Sequence, residues 1–504
     1  MKNIAAIDVG SNAVRLALAS VMEGGVPQVF FSAREAIRLG TEAFHDGTVQ
    51  SGTVRKLCEA FVEFAGHMQR YGVTKYRAVG TSALRDAANS AEIAAAVRQA
   101  CGIELEIIDG QEEGRLVYTA VAATVPDIEG ISAMMDIGGG SLEVAVFDRE
   151  GIHGLESLDI GTVRLLDLFE VSDANEHNTL KKLNKYLATA AQQARKELRL
   201  KNISRLIGTG GNVEELLALR KRLVHDREEP TLQRRELETV YDALTARNTA
   251  GRRQELGLRS DRADVIVPAA ATLRQFMDAT RMDSLLVAGV GLKDGILYDL
   301  ARDVQGVQFE RRRSQTLAHA RSLAQKFEVD IAEAKAVAAL ATSLFDVMAG
   351  QHGLDREARL MLEVAALLQD CGRYIDPHSH HKHSAYVIRS APIVGLTPRQ
   401  RELAATVARY HRKSTPKARH PEFAGLTPAD QQLILQLAAL LRSANAVVAC
   451  GSVQGYNLLL NDQRLDVRIR CGGDPEMSLW ATANQSKFFA KTFQRELTCS
   501  VDHA

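Results

Sequence analysis

Asp8 and Asp136 each close an apolar run and stand just before a turn rich in small residues. The two segments read Asp8-Val9-Gly10-Ser11-Asn12 and Asp136-Ile137-Gly138-Gly139-Gly140-Ser141. That order unites two ways of handling phosphate. The N–H groups of a tight turn converge on anionic oxygens. A carboxylate at the mouth of the turn holds Mg²⁺, usually through water, because this small ion sheds its hydration shell reluctantly. Gly138, Gly139 and Gly140 have no Cβ to keep a phosphate at a distance, and Ser11, Asn12 and Ser141 add hydroxyl and amide donors. A single Asp-x-Gly turn is common in hairpins and specifies nothing. Here it recurs. IDVGSNAVRLAL (7–18) and MDIGGGSLEVAV (135–146) share an apolar residue, Asp, an apolar residue, Gly, a small polar turn and a β-rich return. This is an internal repeat, and it predicts two similar lobes, each opening with a strand-turn-strand loop.

The stretch IIDGQEEGRLVY (107–118) reads as a strand, an Asp-Gly turn and the start of a helix, with Glu112 and Glu113 in its first turn. Acids there are favoured by the helix dipole, which is reason enough for an arbitrary pair. Position adds a second reason. The segment ends the first lobe and leads into the second Asp loop, so it borders a cleft between lobes. A carboxylate there can orient or deprotonate an attacking water. Arg85, in AVGTSALRDA (78–87), follows a strand and sits at a helix start, where it offers bidentate pairing to phosphate or, equally, a surface salt bridge with Asp86 or a neighbour. Arg15 and Arg115 are weaker candidates of the same type.

A third group lies in 377–421, with nine Lys or Arg, six His and one acid, Glu402. The whole chain balances 62 basic against 62 acidic side chains, so this local excess suits a polyanion. His381, Lys382, His383, Arg409, His411, Arg412 and Lys413 are the candidate contacts. The run PHSHHKHS (377–384) also admits a metal site. A preformed site draws its ligands from several elements, however, and one His run is more often solvent-facing, so polyanion contact is the favoured reading.

These residues need a frame. At 504 residues the chain exceeds a single core. Strands are predicted at 3–9 and 13–20, a helix after Ser51, a strand at Tyr76–Val79, a helix over Ala83–Cys101 and a strand at Glu104–Ile108. The pattern restarts near 125, with strands at Ile131–Asp136 and Leu142–Phe147. A charged helical section covers 180–250, with Gly-rich punctuation at LIGTGGN (206–212) and again at VAGVGLKDG (287–295). Beyond Arg313 the chain reads as helical to about 449. Apolar alternation at Leu458–Leu460, Leu465–Ile469 and Leu479–Ala481, then a helix near 484–496, predicts a small α+β cap. The composition, 46% hydrophobic and 25% charged, is ordinary for a globular protein. Six scattered cysteines without a C-x-x-C pair argue against a zinc ribbon or a disulfide framework. Asp8 comes too early for a signal peptide, and no apolar run is long enough to span a membrane, so a cytoplasmic location is expected. Neither a membrane nor a nucleic acid is expected as partner.

The two Asp loops resemble the phosphate loops of the actin and sugar-kinase superfamily. Together with Gly80-Thr81-Ser82-Ala83-Leu84-Arg85, Gly110-Gln111-Glu112-Glu113-Gly114-Arg115, His383-Ser384-Ala385-Tyr386 and Tyr410-His411-Arg412-Lys413, they make the chain similar, nearly end to end, to the exopolyphosphatase/guanosine pentaphosphate phosphohydrolase family. The resemblance implies two actin-like (ribonuclease H-like) lobes over 1–124 and 125–305, a helical HD-like domain over 306–449 and a small α+β domain over 450–504. It implies Glu113 as catalytic carboxylate, Arg85 as phosphate ligand, and Asp8 and Asp136 as holders of Mg²⁺. It also implies inorganic polyphosphate or guanosine pentaphosphate as substrate, and a homodimer whose helical domains help form a basic passage. One departure is plain. Active HD enzymes hold metal with a His-Asp pair, where this chain has Gln369-Asp370, and Ser443-Ala444-Asn445 lacks the expected downstream aspartate. A second, independent phosphohydrolase centre is therefore not expected.

Overall fold

The computed structural model describes residues 2–21, 25–126, 128–169, 176–224, 229–304, 308–451 and 453–502. The chain forms two compact units, Met1–Arg311 and Arg312–Ala504.

Unit 1 is built on two sheets with the same plan. The first contains β1 (Lys2–Val9), β2 (Val14–Val21), β3 (Pro27–Glu35), β4 (Val73–Gly80) and β5 (Leu105–Ile107), in the order β3-β2-β1-β4-β5. The second contains β6 (Ser132–Ile137), β7 (Leu142–Asp148), β8 (Gly151–Leu158), β9 (Arg205–Thr209), β10 (Thr231–Gln233) and β11 (Ser284–Val287), in the order β10-β11-β9-β6-β7-β8. In each sheet the Asp-bearing strand runs antiparallel to its hairpin partner and parallel to a crossover strand: β1 with β2 and β4, β6 with β7 and β9. Even the turns match. Gly10 N–H donates to Ala13 O at 3.1 Å, and Gly138 N–H donates to Ser141 O at 3.0 Å. Every residue of β6 is buried, which is why it reads as one apolar run instead of an alternation. Each sheet has its own core. One gathers Ile7, Leu16, Leu57, Phe61 and Phe64, the other Met135, Val144, Leu216, Leu273 and Phe276.

Helix Leu292–Val304 packs on helix Gly110–Thr124 so closely that a Cβ on Gly295 would lie 2.0 Å from Leu116 O. Arg115 ties them together. It donates from Nε to Glu112 at 2.7 Å and from Nη2 to Asp299 at 2.6 Å, and its side chain is 2% exposed. Removing one partner of such a buried pair strands the other charges. Arg115→Met should lower unfolding free energy by about 3–5 kcal/mol, read from denaturant melts. Burial would raise Glu112, but Arg115 and then Arg77 hold it down to about 2. Its contribution to stability is complete above the ordinary value of 4.5 and fades as pH falls towards 2. The variant should therefore lose less stability on acidification than the parent.

Unit 2 is helical through Pro428–Val448 and ends in β12 (Val453–Leu460), β13 (Arg464–Cys471) and β14 (Glu496–Val501), ordered β12-β13-β14. Among the described residues, no helix is long and apolar enough to cross a membrane.

Four sequence expectations are corrected. The helix over Ala83–Cys101 is two helices, Ser82–Asp86 and Ser90–Cys101. Between them Asn89 accepts from Val49 N–H and donates to Val49 O, diverting its side chain from the helix. The section 180–250 contains β9 and β10, because a five-residue buried strand cannot be told from helix by periodicity. The third strand of each hairpin, β3 and β8, was not anticipated; both are sheet edges with irregular burial. Finally, Leu479–Ala481 lies inside helix Glu476–Phe493, and the chain closes on β14, not on a helix at 484–496. Three residues are too few to separate a period of 2 from one of 3.6.

Candidate active site

The two Asp-headed turns meet. A Cβ on Gly139 would lie 2.9 Å from Ser11 Cβ, and one on Gly140 would lie 2.3 Å from Ser82 Oγ. Gly161 approaches closest, since its Cβ would fall 2.2 Å from the Gly140 backbone. The loop carbonyls are occupied: Ser11 O accepts from Gly40 N–H at 2.9 Å, Gly138 O from Thr162 N–H at 3.1 Å and Gly139 O from Val163 N–H at 2.7 Å. Among the described residues, no backbone acceptor takes the N–H of Ser11, Asn12, Gly139 or Gly140. Donors from both lobes are thus free at one place, as an anion site requires.

That place is a cavity of about 290 Å³. Asp8, Ser11, Asn12, Glu113, Asp136, Gly138 and Gly139 all line it. Gly140 and Ser141 do not; Gly140 is pressed against Ser82 and Phe44, and Ser141 lies against Glu143. Ser11 Oγ shares a hydrogen bond of 3.0 Å with Ser82 Oγ. Asn12 donates one amide N–H to Asp261 O at 2.9 Å and accepts from Arg38 Nε at 2.7 Å. Arg85 is also absent from the lining. Its Nη1 donates to Ile108 O at 2.9 Å and lies 3.5 Å from Glu113 Oε2. Asp86 pairs with Arg164 at 2.6 Å, and among the described residues the salt bridge of Arg85 is with Glu113 and not with Asp86.

The adjacent acids 112 and 113 have opposite surroundings. Glu112 is neutralised by Arg77 and Arg115. Glu113 faces the cavity, and burial raises its pKa well above the ordinary glutamate value; Glu143 adds to the rise and Arg85 opposes it. Burial pushes Asp136 up to about 6 although Thr209 Oγ1 donates to it at 2.9 Å, and Asp8 adds to the rise. Glu143 is raised to about 7 by burial and then by Asp136. Asp8 is met by Arg15 Nη1 at 2.7 Å.

Asp8, Glu113, Asp136 and Glu143 are all buried, and among the described residues Glu143 Oε2 has no protein partner. Three of these carboxylates, Asp8, Glu113 and Asp136, line the cavity together; such a group fits a divalent cation, and the oxygen-only donors suit Mg²⁺. Asp8 and Asp136 are the residues that would hold it.

Several lining residues escaped the sequence reading. Arg34, Arg259, Arg262 and Lys293 bring cations to the same cavity, and Gly210, Gly211 and Asn212 add a third loop. Burial and the nearby Arg15 push Arg262 down to about 10, so it stays charged at neutral pH. Gly210 has φ of +90°, and a Cβ there would lie 2.7 Å from Asp136 Oδ1. The glycines of 206–212 signalled this loop. Glu143 had a signal too, as a charge inside an apolar strand. It pairs in register with Asp136 as Arg15 pairs with Asp8, so the repeat is kept and the charge inverted.

In unit 2, His381, Lys382, Arg409 and Lys413 line one cavity of about 380 Å³. His383, His411 and Arg412 lie outside that lining. Three of the cations in 377–421 are paired: Arg389 with Glu402 at 2.6 Å, Arg399 with Asp430 at 2.8 Å and Arg409 with Glu422 at 2.9 Å. The His run is not wholly solvent-facing. The helix His380–Ser390 starts within it and turns His380 and His381 inwards, to 1% and 6% exposure. Burial, then Arg409 and Lys413, push His381 down to about 4.

The paired lobes are of actin-like type and are followed by a helical unit, and comparison with known proteins gives the class, a phosphatase. The Ppx/GppA phosphatase family model matches residues 18–303, more than half of the chain, and the model of Ppx/GppA phosphatase domain III matches residues 313–460. The chain belongs to the Ppx/GppA phosphatase family. Among solved structures it is similar to the Aquifex aeolicus family member, at 25% identity and a TM-score of 0.52 over 60% of this chain and 98% of the other. It is also similar to an exopolyphosphatase from Cytophaga hutchinsonii, at 25% identity and a TM-score of 0.56 over 60% and 98%.

Proposed function

We propose that this phosphatase is an exopolyphosphatase, releasing terminal orthophosphate from inorganic polyphosphate in the cavity of unit 1, with Mg²⁺. The observation that carries this reading is the convergence of Asp8, Asp136, Glu113 and both turns on one space. Its volume, about 290 Å³, is at the small end of ligand pockets, with room for a chain end and not for a coiled polymer. The loop amides of Ser11, Asn12 and Gly139 bind the terminal phosphoryl oxygens. Glu113 orients the attacking water and accepts its proton, and Arg85 positions Glu113. Mg²⁺, when bound through Asp8 and Asp136, offsets charge that builds on the transferring group. Arg34, Arg259, Arg262 and Lys293 bind the phosphates that follow. In this reading the basic residues of unit 2 also contact polymer, and the chain acts as a homodimer.

The rival substrate is guanosine pentaphosphate, losing its 5′-γ-phosphate to the same residues. A non-enzymatic phosphate or nucleotide sensor, or a kinase, would use the loops differently. Phosphate release from long-chain polyphosphate and from guanosine pentaphosphate, side by side with and without Mg²⁺, separates them. Faster Mg²⁺-dependent release from polyphosphate is expected. Preference for the nucleotide assigns the rival, ADP formation that needs a hydroxyl acceptor assigns a kinase, and no release from either assigns a sensor. Raising salt from roughly 0.05 to 0.3 M should cut kcat/KM for long chains about tenfold and for short chains only about twofold, because screening removes contacts distant from the cleavage point. Equal sensitivity at all lengths would remove unit 2 from substrate binding.

A further inference from the structure

Unit 2 contains a cluster of two buried histidines and a half-buried aspartate that the reaction in unit 1 does not use. Asp370, His380 and His411 come from three different elements: the end of helix Arg356–Leu368, the start of helix His380–Ser390 and the segment after helix Pro398–Arg409. His380 Nε2 lies 3.2 Å from His411 Nε2 and 3.2 Å from Asp370 Oδ1, and His411 Nε2 lies 4.0 Å from that same oxygen. Ligands on a tetrahedral metal with bonds of about 2.0–2.1 Å stand about 3.3 Å apart. Two sides of the triangle have that length, and the third, at 4.0 Å, is longer.

The hydrogen bonds behind the rings sharpen the point. His380 Nδ1 lies 2.8 Å from Pro377 O, and His411 Nδ1 lies 2.8 Å from Ala408 O. A carbonyl only accepts, so both Nδ1 atoms carry the proton and each neutral ring turns an Nε2 lone pair towards the other. Two lone pairs facing each other at that distance repel unless something positive lies between them. The negative partner for such a positive group is at hand, since Asp370 Oδ1 lies 3.2 Å from His380 Nε2. Arg412 Nη1 does not fill the gap. Its near-equal distances to the two His380 nitrogens, 3.2 and 3.3 Å, place it over the ring face and out of the lone-pair plane. Backbone carbonyls holding the remote nitrogen are the usual arrangement behind metal-bound histidine.

We propose that Asp370, His380 and His411 bind one divalent transition-metal ion of the Zn²⁺ class, with at least one coordination position open. Two imidazoles and one carboxylate select such an ion over Mg²⁺. The residues beside them hold no second ion. Gln369 Nε2 donates to Asn445 Oδ1 at 2.7 Å and Asn445 Nδ2 donates back at 2.8 Å, so the two amides bond to each other. Arg373 Nε donates to Asp370 Oδ1 at 2.8 Å, which leaves a lone pair of that oxygen for the ion. With Arg373 and Arg412 adjacent, the open position suits an anionic ligand such as phosphate.

The test uses the full-length chain without a histidine tag. Metal analysis after dialysis against Zn²⁺ and gel filtration should give one tightly held zinc per chain, and Co²⁺ titration should give a saturable visible spectrum of nitrogen-ligated cobalt that Zn²⁺ bleaches. His380→Ala, His411→Gln and Asp370→Asn should each weaken binding by at least about tenfold, while the exposed His378→Ala should not. Circular dichroism checks that each variant folds. If the substitutions prevent folding, the parent decides alone: nitrogen chemical shifts of two histidines moving at Nε2 on addition of one equivalent of Zn²⁺ support the site. No saturable cobalt spectrum in the parent, or unchanged stoichiometry in a folded His380→Ala/His411→Gln double variant, would overturn it.

Discussion

Glu113→Gln should lower kcat for phosphate release by about 10²–10⁴-fold, with KM nearly unchanged. The amide keeps the shape of the acid and still accepts a hydrogen bond from Arg85, so the cavity is preserved. It cannot take a proton from water. Loss confined to kcat marks an interaction made only in the transition state. The pH profile gives an independent reading. Burial, with Glu143 adding, raises Glu113, and a base is active only when deprotonated. Activity should therefore disappear as pH falls through a midpoint above the usual value of about 4.3 for glutamate, and the residual activity of the variant should lack that limb. A variant within threefold of the parent would take the proton-accepting role from this residue and leave Glu143, similarly buried and raised, as the next to change.

Asp136→Asn should raise the Mg²⁺ concentration for half-maximal activity at least about tenfold and lower kcat by about 10²–10³-fold. Thr209 can still donate to the asparagine carbonyl, so the turn should hold. Stability should move the other way. Because burial raises Asp136 to about 6 from 3.8, the folded state holds this proton more tightly than the unfolded chain. Stability is then highest at acid pH and declines as the group ionises, by about 2–3 kcal/mol once pH exceeds the folded value. The neutral asparagine escapes that loss. In Mg²⁺-free buffer above pH about 6 the variant should melt higher than the parent, and the gap should close in acid. A protein more stable yet nearly inactive would identify Asp136 as a charge retained for metal. An unchanged Mg²⁺ requirement would remove it from the metal site.

Much of the cavity was readable from short segments. An aspartate, an apolar residue and glycine between two β-prone runs describe a turn through neighbouring residues alone, and Asp8 and Asp136 stand in turns closed by equivalent hydrogen bonds. The repetition announced two lobes before any contact was known. The helix start at Gly110–Glu113 was readable for the same reason, with Asp109 accepting from Glu112 N–H as its cap.

Contacts far apart in sequence were not readable. No local pattern says that Arg262 and Lys293 enter the same cavity as Asp8, or that Glu143 lies opposite Asp136 with an oxygen left unpaired. Nor does it say that Glu112 is locked by Arg77 and Arg115 while its neighbour Glu113 is not. The His run shows the same limit. Its composition suggested a solvated basic surface, but the side to which His380 turns, and its meeting with Asp370 and His411, depend on how three helices pack. Turn chemistry and strand pattern belong to the chain, because they follow from bonds among adjacent residues. Which charges are neutralised, which keep an unpaired oxygen and which pKa values are raised belong to the fold, because burial and Coulomb energy depend on distances that only packing sets.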